Sequence, residues 1–365
     1  MPSLQSLYKR LDSKVHVISR VMGANKSAKH YFKMLDEHNI PIRRLSAEQK
    51  KAVKAVWGDR IKSNCYATHE LVYSVTGRFD PYICPEMLFR THIELKMNNF
   101  QLKYGFSEKN YFDLMFPDEP MPKTVLRNIN GVLLNGDYQP VDGEQIKKLL
   151  ADYEELIVKP SIENGVGRGV KLYEKAQFDE IFKDYKHDYL VQERLTQHSS
   201  VSALNPSSIN VVRVISLSLN GKVSPVNCTI RCGATGAITD NLVTKDGRGM
   251  YVIGVNKDGT LKDEAFFSCG ERITVAPNGQ NFAGVQLPNF DKALEITTRI
   301  HEKLPHFGFV AFDVCFDEDG SPRIMELNIR GPGVLYYQYT NGPLFGERTQ
   351  EVIDTFCKGL CFCDF

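Results

Sequence analysis

The chain has 365 residues, with 45 Lys+Arg against 44 Asp+Glu and a formal net charge of +1, so no overall field draws it to nucleic acid or to an anionic membrane. The length holds two or three domains with a sizeable core. The start of the chain lacks the apolar core of a signal peptide, and no apolar run approaches roughly 18 residues, so a soluble cytoplasmic protein without a transmembrane segment is expected.

Leu4, Leu7, Tyr8, Leu11, Val15, Ile18 and Val21 recur at helical spacing, which predicts an amphipathic helix ending near Gly23 and a second one over Ala28 to His38. Ser46 and Gln49 form a capping box for a helix carrying Val53, Val56 and Trp57. Pro85 opens another helix through Leu95, and Ser107 caps one running to Phe116. Residues 1–117 therefore form a mainly helical domain. The segment Phe116-Pro-Asp-Glu-Pro-Met-Pro122, with three prolines in seven residues, ends the helical texture. Residues 118–365 follow as a second domain, divided at 195 into a nucleotide-binding part with a lid and a metal and substrate part.

Strands are expected over Lys123–Arg127, Gly131–Leu134, Glu155–Ser161 and Lys171–Tyr173, with a helix capped by Asp142. Between the last two strands, Gly165, Gly167 and Gly169 permit the positive φ that a loop needs to present backbone N–H groups to an anion. Lys159 sits at the loop's entrance to supply a point charge. An ordinary turn is the commoner explanation of three glycines, and the pattern is neither GxxxxGK[ST] nor GxGxxG. Tyr189–Leu195 reads as a strand ending in the polar pair Gln192-Glu193, a hinge suited to an adenine. In Ser208–Leu217, Val211, Arg213 and Ile215 share one face and Asn210 lies off it. A charge on that face needs a partner, either a phosphate or a structural carboxylate; Arg231 repeats the pattern. Asp240, Asn241 and Lys245–Gly249 make a polar loop.

After a helix over Phe290–Leu304, the runs Phe307–Phe316 and Arg323–Arg330 flank the turn Asp317–Pro322 and predict a β-hairpin. Alternation places Glu326 and Asn328 on one face and Met325, Leu327 and Ile329 on the other. Asp313 lies on the partner strand. Three oxygen ligands converging from adjacent strands suit a hard cation such as Mg2+, with solvated acidic residues as the bland alternative. A last helix is expected over Gly346–Leu360. Nine cysteines without paired CxxC spacing suggest neither disulfides nor zinc, and Cys357, Cys361 and Cys363 read as thiols on a helix tail.

Together these motifs resemble the ATP-grasp superfamily, specifically its sugar-transfer-associated branch, over roughly residue 105 to the C-terminus. The matching stretches are Tyr111–Pro117 with Pro122-Lys-Thr124, Val158-Lys-Pro160 with the glycine loop, Gln192-Glu193, Ser208–Arg213, Thr239-Asp-Asn241, Phe312-Asp313 and Met325-Glu-Leu-Asn328. The resemblance implies an α/β (α+β) fold in which two subdomains clamp ATP between antiparallel sheets. It places Lys159 on the phosphates, Glu193 at the adenine hinge, and Asp313, Glu326 and Asn328 on Mg2+, with Lys123 as the earlier nucleotide-binding lysine. Many ATP-grasp ligases carry Arg two residues before the first metal Asp. This chain has Ala311 there, so Arg213 and Arg231 become the candidates for stabilising the transferring phosphoryl group.

The chemistry implied is an ATP-dependent ligation of a carboxylate and an amine through an acyl phosphate, in surface polysaccharide or related cell-envelope biosynthesis. Asp240, Asn241 and Arg330 fall on the substrate side, where His198 and Asn210 join them, although loop solvation suits His198 better. A phosphotransferase of the same fold and a non-catalytic nucleotide-binding module are the alternatives. The sequence names neither the acid nor the amine, nor an oligomeric state.

Overall fold

The computed structural model describes residues 4–162, 167–240, 244 and 247–357. Its strands form two antiparallel sheets. The smaller contains β1 (Thr124–Ile129), β2 (Val132–Asn135), β3 (Glu155–Pro160), β4 (Lys171–Glu174) and β5 (Tyr189–Glu193), in the order β2-β1-β5-β3-β4. The larger contains β6 (Val211–Leu219), β7 (Lys222–Cys232), β8 (Tyr251–Val255), β9 (Leu261–Phe267), β10 (Arg272–Ile273), β11 (Phe309–Phe316) and β12 (Pro322–Asn328), in the order β10-β9-β8-β7-β6-β11-β12. This is the fold class the resemblance implies, with helices preceding two antiparallel sheets.

Both faces of the large sheet are covered, which is why its strands read as nearly continuous apolar runs. Val212, Val214, Phe312, Val314 and Leu327 pack on one face with Ile296 and Ile300 of the helix Phe290–Glu302. On the opposite face Ile215, Leu217, Phe309 and Ala311 share a core with Trp57, Phe89, Ile93 and Phe345. The N-terminal helices are thus built onto the sheet through a common core. Burying such side chains contributes about 1.5–3 kcal/mol each.

One helix spans Leu4–Glu37 without a break, where the sequence predicts an end near Gly23. A mid-helix glycine costs only about 1 kcal/mol relative to alanine, and Ala24 beside it is buried, so packing overrides the local preference. The capping boxes at Ser46 and Asp142 form as expected. Pro85 caps a helical stretch whose middle, Phe89–Ile93, widens to a π turn before Glu94–Met97. Glu108 caps the short turn Lys109–Tyr111 by accepting from the Asn110 N–H at 2.9 Å, a role the sequence assigns to Ser107. The expected last helix begins at Gly346, and its described part ends in a wide turn over Ile353–Cys357; residues beyond, with Cys361 and Cys363, lie outside the described residues. The seven described cysteines are free thiols.

Candidate functional site

Asp313 on β11 lies directly opposite Arg213 on β6 and, on its other side, opposite Glu326 on β12. Opposed residues of antiparallel strands point to the same face, so these three side chains form a row. Arg213 donates from Nε to Asp313 Oδ1 and from Nη2 to Asp313 Oδ2 at 2.9 Å, and its Nη1 donates to the Tyr337 hydroxyl at 3.2 Å. Arg231, two residues along from the Thr229 that pairs with Arg213, donates from Nη2 to Asp313 Oδ2 at 3.1 Å and meets Asp240 Oδ2 at 2.5 Å. Arg213, Arg231, Asp240 and Asp313 are all buried. Burial pushes the Asp313 carboxyl up, but Arg213 and then Arg231 outweigh it and hold the group below the usual carboxylate range. At Asp240 burial wins over Arg231, and the carboxyl is raised.

The other wall comes from the small sheet and the turn before it. Lys109 Nζ lies 3.1 Å from Glu326 Oε1, with only 9% of the Lys109 side chain exposed. Its backbone N–H donates to Ser161 O at 3.2 Å, just past the end of β3, which carries Lys159. Arg127 of β1 holds the same turn through the Asn110 carbonyl at 3.0 Å and an ion pair with Asp113. Lys159 has its pKa lowered to about 8, first by burial and then by the charge of Lys109, with Glu326 opposing. Lys109, Lys159, Thr124, Gln192, Ile324 and Met325 line a cleft between the sheets with about 20 Å3 of free space. A nucleotide requires the two walls to part.

The donor set suits a hard cation, because Asp313, Glu326 and Asn328 offer only oxygen ligands from adjacent strands. Asn328 Nδ2 is buried without a partner. Amide O and N are interchangeable by a flip of the side chain, and the flipped form turns a needed oxygen ligand into that position. Arg231 Nε, Thr229 Oγ1 and Ser161 Oγ are also buried and unpartnered, and orphaned polar atoms of this kind call for a ligand or ordered water. Four cations, Arg213, Arg231, Lys109 and Lys159, meet three carboxylates, Asp240, Asp313 and Glu326. That balance favours an anion such as a polyphosphate arriving with its metal.

The remaining expected residues are spread more widely. Gln192 is buried and donates to Pro122 O at 3.2 Å and Thr124 Oγ1 at 3.0 Å, while Glu193 accepts from the Lys123 N–H at 3.1 Å. Lys123 is exposed and sits 5.6 Å from the centre of the Tyr153 ring, apart from the cleft lining. Gly167 and Gly169 adopt φ of +67° and +74°, and a Cβ on Gly167 would come within 3.5 Å of Thr239, which belongs to the large-sheet side. Gly165 and Asn241 lie outside the described residues. Asn210 spends its amide on Val201 O and Asn205 O at 2.9 and 3.0 Å, and so braces the loop entering β6. His198 caps a short helical turn through Ser200 at the turn end of the β11–β12 hairpin. Arg330 is exposed beyond the end of β12. Lys109 has no sequence signal, since the three-residue turn that carries it has no periodicity to mark it.

A family model described as sugar-transfer associated ATP-grasp matches residues 181–354, which include Gln192, Arg213, Asp313, Glu326 and Asn328 but not Lys109 or Lys159. A search of curated proteins gives no match. Among solved structures, the chain is similar to the ATP-grasp ligase PsnB complexed with minimal precursor, at 16% identity over 74% of this chain and 68% of that one, TM-score 0.40. It is also similar to the D-cycloserine synthetase DcsG, at 13% identity over 70% and 73%, TM-score 0.41, and to the D-alanine-D-alanine ligase from Coxiella burnetii, at 12% identity over 70% and 60%, TM-score 0.41. PsnB has been solved with Mg and ADP as well. No described helix is long and apolar enough to cross a membrane. Over residues 181–354, a little under half of its length, the chain matches the sugar-transfer associated ATP-grasp family.

Proposed function

We propose that this chain is an ATP-dependent carboxylate–amine ligase that forms an amide through an acyl phosphate, acting on a precursor of surface polysaccharide or a related cell-envelope component. The observation that carries the reading is that Glu326, opposite Asp313 and two residues from Asn328 on the large sheet, pairs with Lys109, which lines the cleft between the sheets together with Lys159. Phosphoryl transfer asks mainly for positioning and charge neutralisation. Cys315, two residues beyond Asp313, is no rival nucleophile, because burial pushes its thiol up to about 12.

Asp313, Glu326 and Asn328 hold Mg2+, which when bound neutralises charge on the phosphates of ATP. Lys109 and Lys159 hold the phosphate oxygens, and Gln192 and Glu193 border the adenine. A substrate carboxylate attacks the γ-phosphate, ADP leaves, and an amine then displaces phosphate from the acyl phosphate. Arg213 serves this site by fixing the Asp313 carboxylate, and Arg231 keeps its Nε–H for a ligand.

The absence of Arg at Ala311, with Arg213 and Arg231 both engaged by carboxylates, favours one alternative, a nucleotide-binding regulatory module that does not turn over; the nearest rival enzyme is a phosphotransferase of the same fold. A single assay separates them. ADP and inorganic phosphate are measured with a panel of sugar carboxylates, with and without added amines. The ligase releases phosphate only when acid and amine are both present. ADP without phosphate release identifies a phosphotransferase, and nucleotide binding without turnover identifies a regulatory module.

A further inference from the structure

A cleft of about 900 Å3 lies where the N-terminal helices meet the end of β12, within the size range of small-molecule sites. It is bordered by Arg20, Phe100, Lys103, Tyr104 and Arg330, and no carboxylate is among its described lining residues. In a chain whose charges nearly cancel, such a one-signed wall is a local feature that sequence composition conceals. Arg20 is bound to Glu94 at 2.8 Å and to Arg90 O at 2.7 Å. Lys103 and Arg330 have no acidic partner among the described residues. Lys103 Nζ rests 4.0 Å from the centre of the exposed Tyr104 ring. The Phe100 ring is flanked by two guanidinium groups, with Arg20 at 4.5 Å and Arg330 at 6.0 Å from its centre.

This wall is rigidly joined to the strand that carries Glu326 and Asn328. Asn98 donates from Nδ2 to Phe309 O and to Ile329 O, both at 2.8 Å, and accepts from the Phe309 N–H at 2.9 Å. Its amide therefore ties the segment bearing Phe100 and Lys103 to the ends of β11 and β12 at once. Arg330 follows Asn328 by two residues, with a bend at Arg330, so their Cα atoms lie at most about 7 Å apart. The cleft therefore borders the end of the strand that carries the candidate metal ligands.

Resting on the ligase reading, we infer that the N-terminal helices build the substrate site, and that the substrate is an anion with a ring-shaped body. Its carboxylate or phosphate is met by Lys103 and Arg330, and its ring lies against Phe100 and Tyr104. Arg and Lys pair with both kinds of oxyanion, and the aromatic faces suit a sugar or other cyclic body.

The test is calorimetric titration of the full chain with inorganic phosphate, glucose 1-phosphate and D-glucuronate, with Mg-ATP titrated separately. Wild type is expected to bind one of the two sugar anions saturably and more tightly than inorganic phosphate, and the tighter of the two identifies phosphate or carboxylate as the group recognised. Lys103→Glu and Arg330→Glu are expected to weaken that binding at least about tenfold, while Lys103→Arg retains it, and all variants keep Mg-ATP affinity within about twofold. Sugar-anion binding that persists when Mg-ATP fails to bind wild type supports the cleft while removing the ligase reading. Absence of saturable binding, or binding unchanged by both charge reversals, overturns the inference. So does loss of Mg-ATP binding together with the sugar anion in both reversals.

Discussion

Arg213 and Asp313, a hundred residues apart in sequence, occupy directly opposed positions on β6 and β11 and form a buried two-point ion pair. The pair fixes the orientation of the carboxylate assigned to the metal. It also explains how a charged residue is tolerated on a face otherwise made of Val211 and Ile215. Removing one partner of such a pair strands the other charge in the interior.

Arg213→Met is therefore expected to lower unfolding free energy by about 3 kcal/mol, at the low end of the usual range because Arg231 still meets Asp313. The double variant Arg213→Met with Asp313→Leu is expected to lose less than the sum of the single changes, as read from denaturant unfolding of all four proteins. The pH dependence follows from the same pair. The Asp313 carboxyl is held below its ordinary value in the folded chain, so its contribution is full above an unfolded pKa of about 3.9 and is lost as pH falls through the lower folded value. Wild-type stability should fall more steeply below about pH 4 than that of the double variant.

Lys109→Ala is expected to weaken Mg-ATP binding about ten- to a hundredfold, the loss of a charge-assisted contact of roughly 1.5–3 kcal/mol. Lys123→Ala, which removes an exposed side chain resting over Tyr153, should leave affinity within about twofold. Calorimetry on the two variants decides which lysine serves the nucleotide. Equal effects would remove the distinction drawn between them.

Lys159 is lowered to about 8 in the nucleotide-free chain, and a bound phosphate raises it again. Between those two values binding takes up a proton, so affinity should fall as pH rises through about 8. Calorimetry near pH 8.5 in buffers of differing ionisation enthalpy measures that uptake, which Lys159→Ala should abolish. Uptake unchanged in the variant would place the titrating group elsewhere.

The large sheet was partly legible. The alternation expected of β12 holds at Leu327, only 3% exposed within the core that contains Ile296 and Phe312, but Met325, expected on the same face, lines the cleft with Lys109 and Lys159, where the β11–β12 register shifts. Strands β8 and β9 have a local signal of their own, apolar runs flanking Asn256-Lys-Asp-Gly-Thr260, a turn of the kind that marks hairpins. For Arg213 a phosphate and a carboxylate were equal candidates, because residue spacing carries no information about a cross-strand partner a hundred residues away. Lys109 was hidden for a related reason. Its position is set by Ser161 and Arg127 through contacts at long range, and nothing in its own short turn announces them. The N-terminal helices carry no motif of their own, since the core they share with the large sheet is set by packing between distant residues.

Leu327→Asp is expected to damage folding first, by burying a carboxylate without a partner, with a loss of several kcal/mol, about 3 or more. Asn328→Asp, which adds an oxygen charge where a cation is expected, should leave folding intact and alter nucleotide binding mildly. Thermal unfolding of both proteins checks the contrast, and equal destabilisation would contradict the assigned faces.

The most direct test of the account is Glu326→Gln, which keeps the size of the side chain and removes the charge that faces both Lys109 and the metal position. Mg-dependent ATP binding and turnover are measured on wild type and variant, with thermal unfolding as the control for folding. The account predicts Mg-dependent binding and turnover in wild type, and a folded variant in which turnover collapses. A variant as active as wild type at saturating Mg2+ and ATP would contradict the metal assignment and the ligase reading built on it.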